Sequence, residues 1–193
     1  LFLCISSSTY GQSDLFPHTQ QRWVDSVFAS LSADEKIGQL LMPRGNSNPT
    51  YDTTRLFSII RDYHVGGFVL FAGYPTVQAR LVNEMQRRSK VPMFIGMDLE
   101  WGLNMRLDST VRFPYQMTLG AMQGNDALIE KMGFQIAQQC KRMGIHINYA
   151  PVVDVNNNPN NPVINFRSFG ENRDLVTQKA LAYMRGLQKG GII

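Results

Sequence analysis

The sequence predicts an α/β fold built on a parallel β-sheet. Short apolar runs alternate with longer segments whose apolar residues recur at helical spacing, and this order repeats four times along the 193 residues. The apolar runs, such as residues 65–71, lack the polar alternation of a strand with one face in water, which favours strands covered on both faces. Strands that alternate with helices in this way pair in parallel through right-handed crossovers.

The predicted elements follow one another in a regular order. Trp23, Val27 and Phe28 mark an opening helix over residues 20–31, and the stretch from Ser32 to Glu35 is a capping box that begins a second helix. The predicted strands cover residues 37–42, 65–71, 93–97 and 145–150. The later helices are predicted over residues 56–63, 77–85, 129–143 and 176–187. Residues 190–193 are predicted to lead into a fifth strand.

Two long connections, residues 98–124 and 156–172, interrupt this order. Connections of that length in a compact domain are usually functional. Two closures of the sheet are open at this stage. A (β/α)8 barrel typically needs about 250 residues, so the chain would supply only part of one. A doubly wound sheet would be complete at this length, but no glycine-rich phosphate loop follows the first predicted strand.

Composition argues against several classes of protein. The hydrophobic share of 44% and the charged share of 18% are ordinary for a globular domain. The net charge is +4, but the basic residues are scattered, so no nucleic-acid-binding surface is predicted. No stretch approaches the about 20 apolar residues of a transmembrane helix. The three histidines share no metal-ligand spacing, and we expect neither a metal nor another cofactor.

Residues 1–12 are typical of the end of a secretory signal peptide. An apolar stretch gives way to small polar residues, with a plausible cleavage point after Gly11, although a ragged apolar terminus would have the same composition. Cys4 raises the possibility of a lipoprotein, but Leu3 is not the small residue that a lipobox requires there. We therefore expect export, to the periplasm or the medium. Cys140 lies at an apolar helical position and is expected to be a small buried hydrophobe.

Charged side chains follow the third and fourth predicted strands. Asp98, Glu100 and Arg106 come after the third, Asp154 follows the fourth, and Arg167 lies in the next loop. Carboxylates accept hydrogen bonds from hydroxyls, and a guanidinium beside them suits a polyhydroxy ligand. Any one of these groups could be structural. Several at the carboxyl edge of one parallel sheet favour a ligand site.

These segments resemble glycoside hydrolase family 3, on its β-N-acetylglucosaminidase (β-N-acetylhexosaminidase) side. The resemblance covers roughly residues 20–193. The more specific motifs are Gly96-Met97-Asp98-Leu99-Glu100-Trp101-Gly102, Ala150-Pro151-Val152-Val153-Asp154-Val155-Asn156 and Arg167-Ser168-Phe169-Gly170-Glu171. Weaker matches are Asp34-Glu35-Lys36-Ile37-Gly38-Gln39-Leu40 and Gly66-Gly67-Phe68-Val69-Leu70-Phe71.

The resemblance implies a (β/α)8 barrel of the TIM type, of which residues 20–193 supply about the first four βα units. It implies that Asp98 holds hydroxyls of the terminal sugar and that Arg106 and Arg167 bind the same sugar. Asp154 and Glu100 are weaker candidates for substrate binding. Trp101 stands where many members carry glycine, which would reshape the pocket. From the residues alone, Trp101 could either stack on a sugar ring or plug the top of the core.

The family's reaction retains the anomeric configuration through a glycosyl-enzyme intermediate. Its Lys-His pair, acid/base histidine and nucleophilic aspartate are expected after Ile193, so no catalytic residue is assigned within this chain. The function implied is release of terminal β-linked N-acetylglucosamine, from peptidoglycan fragments or chitin-type oligosaccharides. Two alternatives stay open: a non-catalytic carbohydrate-binding remnant, and a β-glucosidase or β-xylosidase of the same family.

Overall fold

The protein is described here by a computed structural model that covers residues 18–193 and places four parallel strands in one sheet. The strands are β1 (Arg44–Ser47), β2 (Gly67–Gly73), β3 (Phe94–Met97) and β4 (Ile147–Asn148). The helices are α1 (His18–Ser30), α2 (Ala33–Gly38), α3 (Thr54–Tyr63), α4 (Pro75–Arg88), α5 (Gln116–Gly120), α6 (Asp126–Arg142) and α7 (Arg173–Lys189), with 3-10 turns at Leu103–Met105 and Asn165–Arg167. The signal peptide predicted for residues 1–12 lies outside the described residues.

The strands pair in chain order, β1-β2-β3-β4, and every pair is parallel. The predicted α/β class and parallel pairing are therefore confirmed. The chain also begins to pair beyond β4. Ile193 N–H donates to the carbonyl of His146 at 3.0 Å, and Asn148 N–H donates to the carbonyl of Ile193 at 2.8 Å. This alternation is that of a parallel ladder, as expected for the approach to a fifth strand.

One face of the sheet carries the core. Paired positions on neighbouring strands point to the same side, and Phe68, Leu70, Ile95 and Met97 are each 0% exposed beneath the helices. The opposite face is less covered, since Phe71 is only half-buried and Phe94 is 49% exposed. We predicted that β2 is covered on both faces. Within residues 18–193, only the face that packs against the helices is fully covered.

The first strand was predicted in the wrong place. Residues 37–42 end α2 and form a turn, with Leu40 83% exposed, while β1 occupies Arg44–Ser47, shortly after the predicted strand. Packing explains both. Gly38 lies so close to α3 that a Cβ there would sit 1.9 Å from the carbonyl oxygen of Tyr63. In β1, a Cβ on Gly45 would already lie 3.1 Å from Leu70, so the core selects a small residue over a typical strand former.

Helices α6 and α7 approach each other closely through glycine. A Cβ on Gly133 would lie 2.4 Å from the carbonyl oxygen of Tyr183, and one on Gly186 would lie 2.1 Å from that of Glu130. This close crossing brings the ring of Tyr183 into the interior, where it is 0% exposed. The helices thus carry a polar hydroxyl group inward, towards the loop that follows β3.

Candidate functional site

The first ion pair of the site forms directly after β3. Arg106 Nη2 donates to Asp98 Oδ2 at 2.6 Å, and the guanidinium lies over the ring of Phe71, 4.9 Å from its centroid. Backbone bonds between Gly73 and the Arg106–Asp108 segment hold the arginine beside the end of β2, at 3.1 and 3.0 Å. The side chains of Arg106 and Asp98 are 24% and 28% exposed, so both can reach a ligand.

The second ion pair joins the loops after β3 and β4. Arg167 Nε lies 3.0 and 3.2 Å from the two carboxylate oxygens of Glu100, and its Nη2 lies 2.7 Å from Oε1. Glu100 is 1% exposed, whereas the arginine side chain is 30% exposed. Hydrogen bonding to Glu100 raises the pKa of Arg167, and the charges of Asp154 and Asp98 add to this effect. The buried Glu100 therefore fixes the position of the Arg167 guanidinium, part of which remains exposed to solvent.

The loop after β4 is shaped by its own backbone contacts. The Ser168 hydroxyl donates to the carbonyl of Asp154 at 2.6 Å, and Asn156 N–H donates to the carbonyl of Gly170 at 2.9 Å. These bonds fold the loop back on itself and bring Arg167 to the edge of the sheet. The Asp154 carboxylate is exposed and acts on Arg167 through its charge rather than through a direct bond among the described residues.

Trp101 belongs to an aromatic cluster at the same edge. Its ring meets Tyr115 edge-on at 4.8 Å between centroids and Phe166 at 6.3 Å, while Tyr115 and Phe166 lie 4.4 Å apart. Arg112 covers the ring of Tyr115 at 4.3 Å. Trp101 is half-buried and Phe166 is 41% exposed, so the cluster joins the two loops while keeping an aromatic surface open.

Three buried polar side chains behind the site were not singled out from the sequence. The Tyr183 hydroxyl lies 3.1 Å from the carbonyl oxygen of Leu99 and 3.2 Å from that of Glu100. Gln116 Nε2 donates to the same Glu100 carbonyl at 2.7 Å, and Leu99 N–H donates to Asn148 Oδ1 at 2.9 Å. The periodicity of the sequence places Tyr183 on the apolar face of its helix. Such a pattern does not predict which group the tyrosine hydroxyl will bond.

The part of the chain that the structure covers shows neither a reactive cysteine nor a metal site. Cys140 is buried, and burial raises the pKa of its thiol to about 12, so it remains protonated and unreactive. Over residues 18–193, no group of three or more His, Cys, Asp or Glu side chains is placed to hold a metal ion. In the same range, no helix combines the length and apolar character needed to cross a membrane.

The fold and the site together define a class: a parallel α/β protein with two carboxylate–guanidinium pairs at the carboxyl edge of its strands. The model of the glycosyl hydrolase family 3 N-terminal domain matches residues 32–193, and the chain belongs to this family. It is 32% identical over 189 residues to beta-hexosaminidase A of Pseudoalteromonas piscicida, covering 84% of this chain and 32% of that protein.

Solved structures agree on the fold. The beta-glucoside phosphorylase BglX bound to 2FGlc superposes with a TM-score of 0.83 at 26% identity, over 92% of this chain and 32% of that one. A family 3 beta-N-acetylglucosaminidase from Paenibacillus sp. superposes with a TM-score of 0.71 at 31% identity, over 84% and 32% of the two chains. The resemblance and the barrel prediction are confirmed: the four βα units are the N-terminal part of a (β/α)8-type barrel. The chain spans about a third of the length of these relatives.

Proposed function

We propose that the complete protein is an exo-acting, retaining glycoside hydrolase that releases terminal β-linked N-acetylglucosamine or a related N-acetylhexosamine. The observation that carries this proposal is the pair of carboxylate–guanidinium contacts at the carboxyl edge, each with an arginine that is still partly open. The names of the relatives support the sugar, since they include a beta-hexosaminidase and a beta-N-acetylglucosaminidase.

In this proposal Asp98, Arg106 and Arg167 bind the terminal sugar. The Asp98 carboxylate accepts hydrogen bonds from sugar hydroxyls, and the two guanidinium groups donate to ring substituents. Neutralisation of each charge by a partner leaves the site well suited to a neutral, polyhydroxy ligand. Asp154 lies at the rim with an exposed carboxylate, and Trp101 contributes to an aromatic wall.

The bond-breaking groups come from elsewhere in the complete protein, and no residue between 18 and 193 is assigned a catalytic role. In a retaining reaction one carboxylate attacks the anomeric carbon while an acid protonates the departing oxygen. In the second step, the group that acted as the acid now deprotonates a water molecule, which releases the sugar from the nucleophilic carboxylate. The contribution of this segment is to hold the ring, so that the reacting carbon meets the nucleophile in a fixed position.

The proposed substrates are the non-reducing ends of peptidoglycan fragments or chitin-type oligosaccharides. Both present a terminal β-linked N-acetylglucosamine unit. We further propose that the protein is exported, on the basis of the signal-like composition of residues 1–12.

The complete gene product should hydrolyse an aryl N-acetyl-β-glucosaminide, and Asp98→Asn should lower kcat/KM by at least about a hundredfold, because a charged acceptor of sugar hydroxyls is lost. Asp108→Asn is the matched control, since Asp108 is exposed and adjoins the same loop. Binding of N-acetylglucosamine without turnover would instead favour the non-catalytic, carbohydrate-binding alternative.

A second candidate is action on β-glucosides, by hydrolysis or by phosphorolysis. It is favoured by the superposition on the beta-glucoside phosphorylase BglX. Aryl β-glucoside, β-xyloside and N-acetyl-β-glucosaminide are compared in parallel, with and without inorganic phosphate. Preferred cleavage of the glucoside replaces the first proposal, and a product that carries phosphate identifies the phosphorylase reaction.

A further inference from the structure

The backbone of Leu99 and Glu100 is held by side chains instead of by a neighbouring strand. The chain leaves the sheet after Met97, so the next peptide groups need other partners. Those partners are the side chains already described on β4, α5 and α7. Three separate elements thus converge on one dipeptide, and the second residue of that dipeptide carries the carboxylate that holds Arg167.

Tyr183 is the most rigidly placed of the three. Its ring is 0% exposed, and its own backbone lies against Gly133, where even a Cβ would approach its carbonyl oxygen to 2.4 Å. The hydroxyl therefore cannot move away from the loop without a shift of α7. Burial also raises the pKa of this phenol, so the group stays protonated and remains a hydrogen-bond donor at any ordinary pH.

The cluster of Tyr183, Gln116 and Asn148 is not the arrangement that the stability of the fold alone would favour. Among the described residues, Gln116 Oε1 is buried without a hydrogen-bond partner. Buried polar atoms without partners destabilise a fold, whereas apolar residues of similar shape would fill the same space without that cost. A partly satisfied network directly behind a ligand site is better explained by the geometry that it imposes.

We infer that Tyr183 is a positioning residue for the sugar site, assisted by Gln116, and that it acts through Glu100 on Arg167. This inference rests on the proposed function, since it names what sets the orientation of a sugar-binding arginine. The path runs from the Tyr183 hydroxyl to the Glu100 carbonyl, then from the Glu100 carboxylate to the guanidinium. Neither Tyr183 nor Gln116 is accessible to substrate, since both are 0% exposed.

The test uses Tyr183→Phe in the complete protein, which removes only the hydroxyl. KM for the aryl N-acetyl-β-glucosaminide should rise about fivefold, the effect of one hydrogen bond, while kcat stays within about twofold. The Kd for free N-acetylglucosamine, measured by calorimetry, should rise in parallel. Tyr63→Phe is the matched control and should leave both constants unchanged, because Tyr63 is 62% exposed at the end of α3.

A double-mutant cycle then tests the path. Glu100→Gln weakens the hold on Arg167, and Tyr183→Phe should have little further effect on KM in that background. Fully additive effects would overturn the inference. So would a lower melting temperature of Tyr183→Phe with an unchanged KM, which is the result of a purely structural role.

If Tyr183→Phe fails to fold, the cycle is run with Gln116→Met, and an unchanged KM there overturns the inference equally. Failure of the proposed function is seen separately, in the wild-type protein. If that protein cleaves a different glycoside, the cycle is repeated with that substrate. If it binds N-acetylglucosamine without turnover, the cycle is run on Kd alone, and an unchanged Kd rejects the positioning role.

Discussion

Arg106 and Arg167 have the same chemistry but different partners, and their surroundings explain why. Arg106 meets Asp98 through one nitrogen and one oxygen, and both side chains are similarly exposed. Arg167 grips a buried Glu100 through two nitrogens, so that pair combines one hidden and one open member. A buried carboxylate without a partner would be strongly destabilising, so Glu100 fixes the guanidinium in place.

Arg167→Lys should raise KM by about tenfold, equivalent to about 1.4 kcal/mol of binding. A lysine keeps the charge but loses the planar fork that meets both oxygens of Glu100. The measurement is steady-state kinetics of the complete protein with its preferred aryl glycoside. Arg173→Lys is the control, because the Arg173 side chain is 82% exposed and forms an ion pair with its exposed neighbour Asp174. Equal kinetics for both variants would contradict a binding role for Arg167.

At the residue scale, sequence reasoning found the charged groups but not their pairing. Asp98, Arg106 and Arg167 stand out because charged residues follow apolar strands and match a family motif. The role of Glu100 depends on a contact with a residue 67 positions later, which no local pattern encodes. The roles of Tyr183 and Gln116 could not be predicted either, because both side chains contact the backbone carbonyl of Glu100, which is distant from them in the sequence.

Elements were predicted well where apolar periodicity was strong. Helices α6 and α7 and strands β2 and β3 lie where their spacing predicts them. Strand β1 was misplaced because its sequence, Arg-Gly-Asn-Ser, has none of the apolar residues that mark a buried strand. Its position is decided by pairing with β2 and by the space that Gly45 leaves for Leu70. Tertiary packing overrides local preference there.

The capping box at α2 also ties this helix to a distant segment. Glu35 accepts a hydrogen bond from Lys90 at 2.7 Å, from the connection between α4 and β3. This bond, helped by the N–H of Ser32, lowers the pKa of the Glu35 carboxyl from 4.5 to about 2. Because the folded-state pKa is depressed, the contact stabilises the fold above pH 4.5 and this contribution is lost as the pH falls towards 2.

Glu35→Gln should therefore flatten the fall in melting temperature of the complete protein between pH 4.5 and about 2. At neutral pH the variant should melt below the wild type. Lys90→Met breaks the same contact from the other side and should flatten the profile in the same way. Parallel wild-type and variant profiles would show that Glu35 does not titrate as its contacts predict.

At the scale of the whole molecule, the uncovered sheet face dominates the behaviour expected of this segment by itself. Large apolar side chains are exposed on that face or at its edge, namely Phe94 at 49%, Tyr149 at 44% and Ile193 at 69%. Exposed apolar surface next to unpaired strand edges promotes association between chains. In a complete barrel such positions are filled by side chains from the other strands.

Residues 18–193 expressed alone should aggregate or remain molten, without a cooperative melt. Size-exclusion chromatography and thermal unfolding followed by near-UV circular dichroism measure this, with the complete gene product as the control. A monomer with one sharp transition would contradict the expectation. This expectation follows from the fold class, since four βα units cannot close a barrel of eight.

The order of the strands has a consequence for how the chain is made. Each strand pairs with the one that precedes it in the sequence, up to Ile193 beside β4. A nascent chain can therefore add one βα unit after another as it leaves the ribosome, without waiting for a distant strand. Until the next strand is added, however, the last strand keeps an unpaired edge that can pair with another chain. Slow translation through this region prolongs that exposure, so binding of a chaperone to the nascent chain would limit its association with other chains.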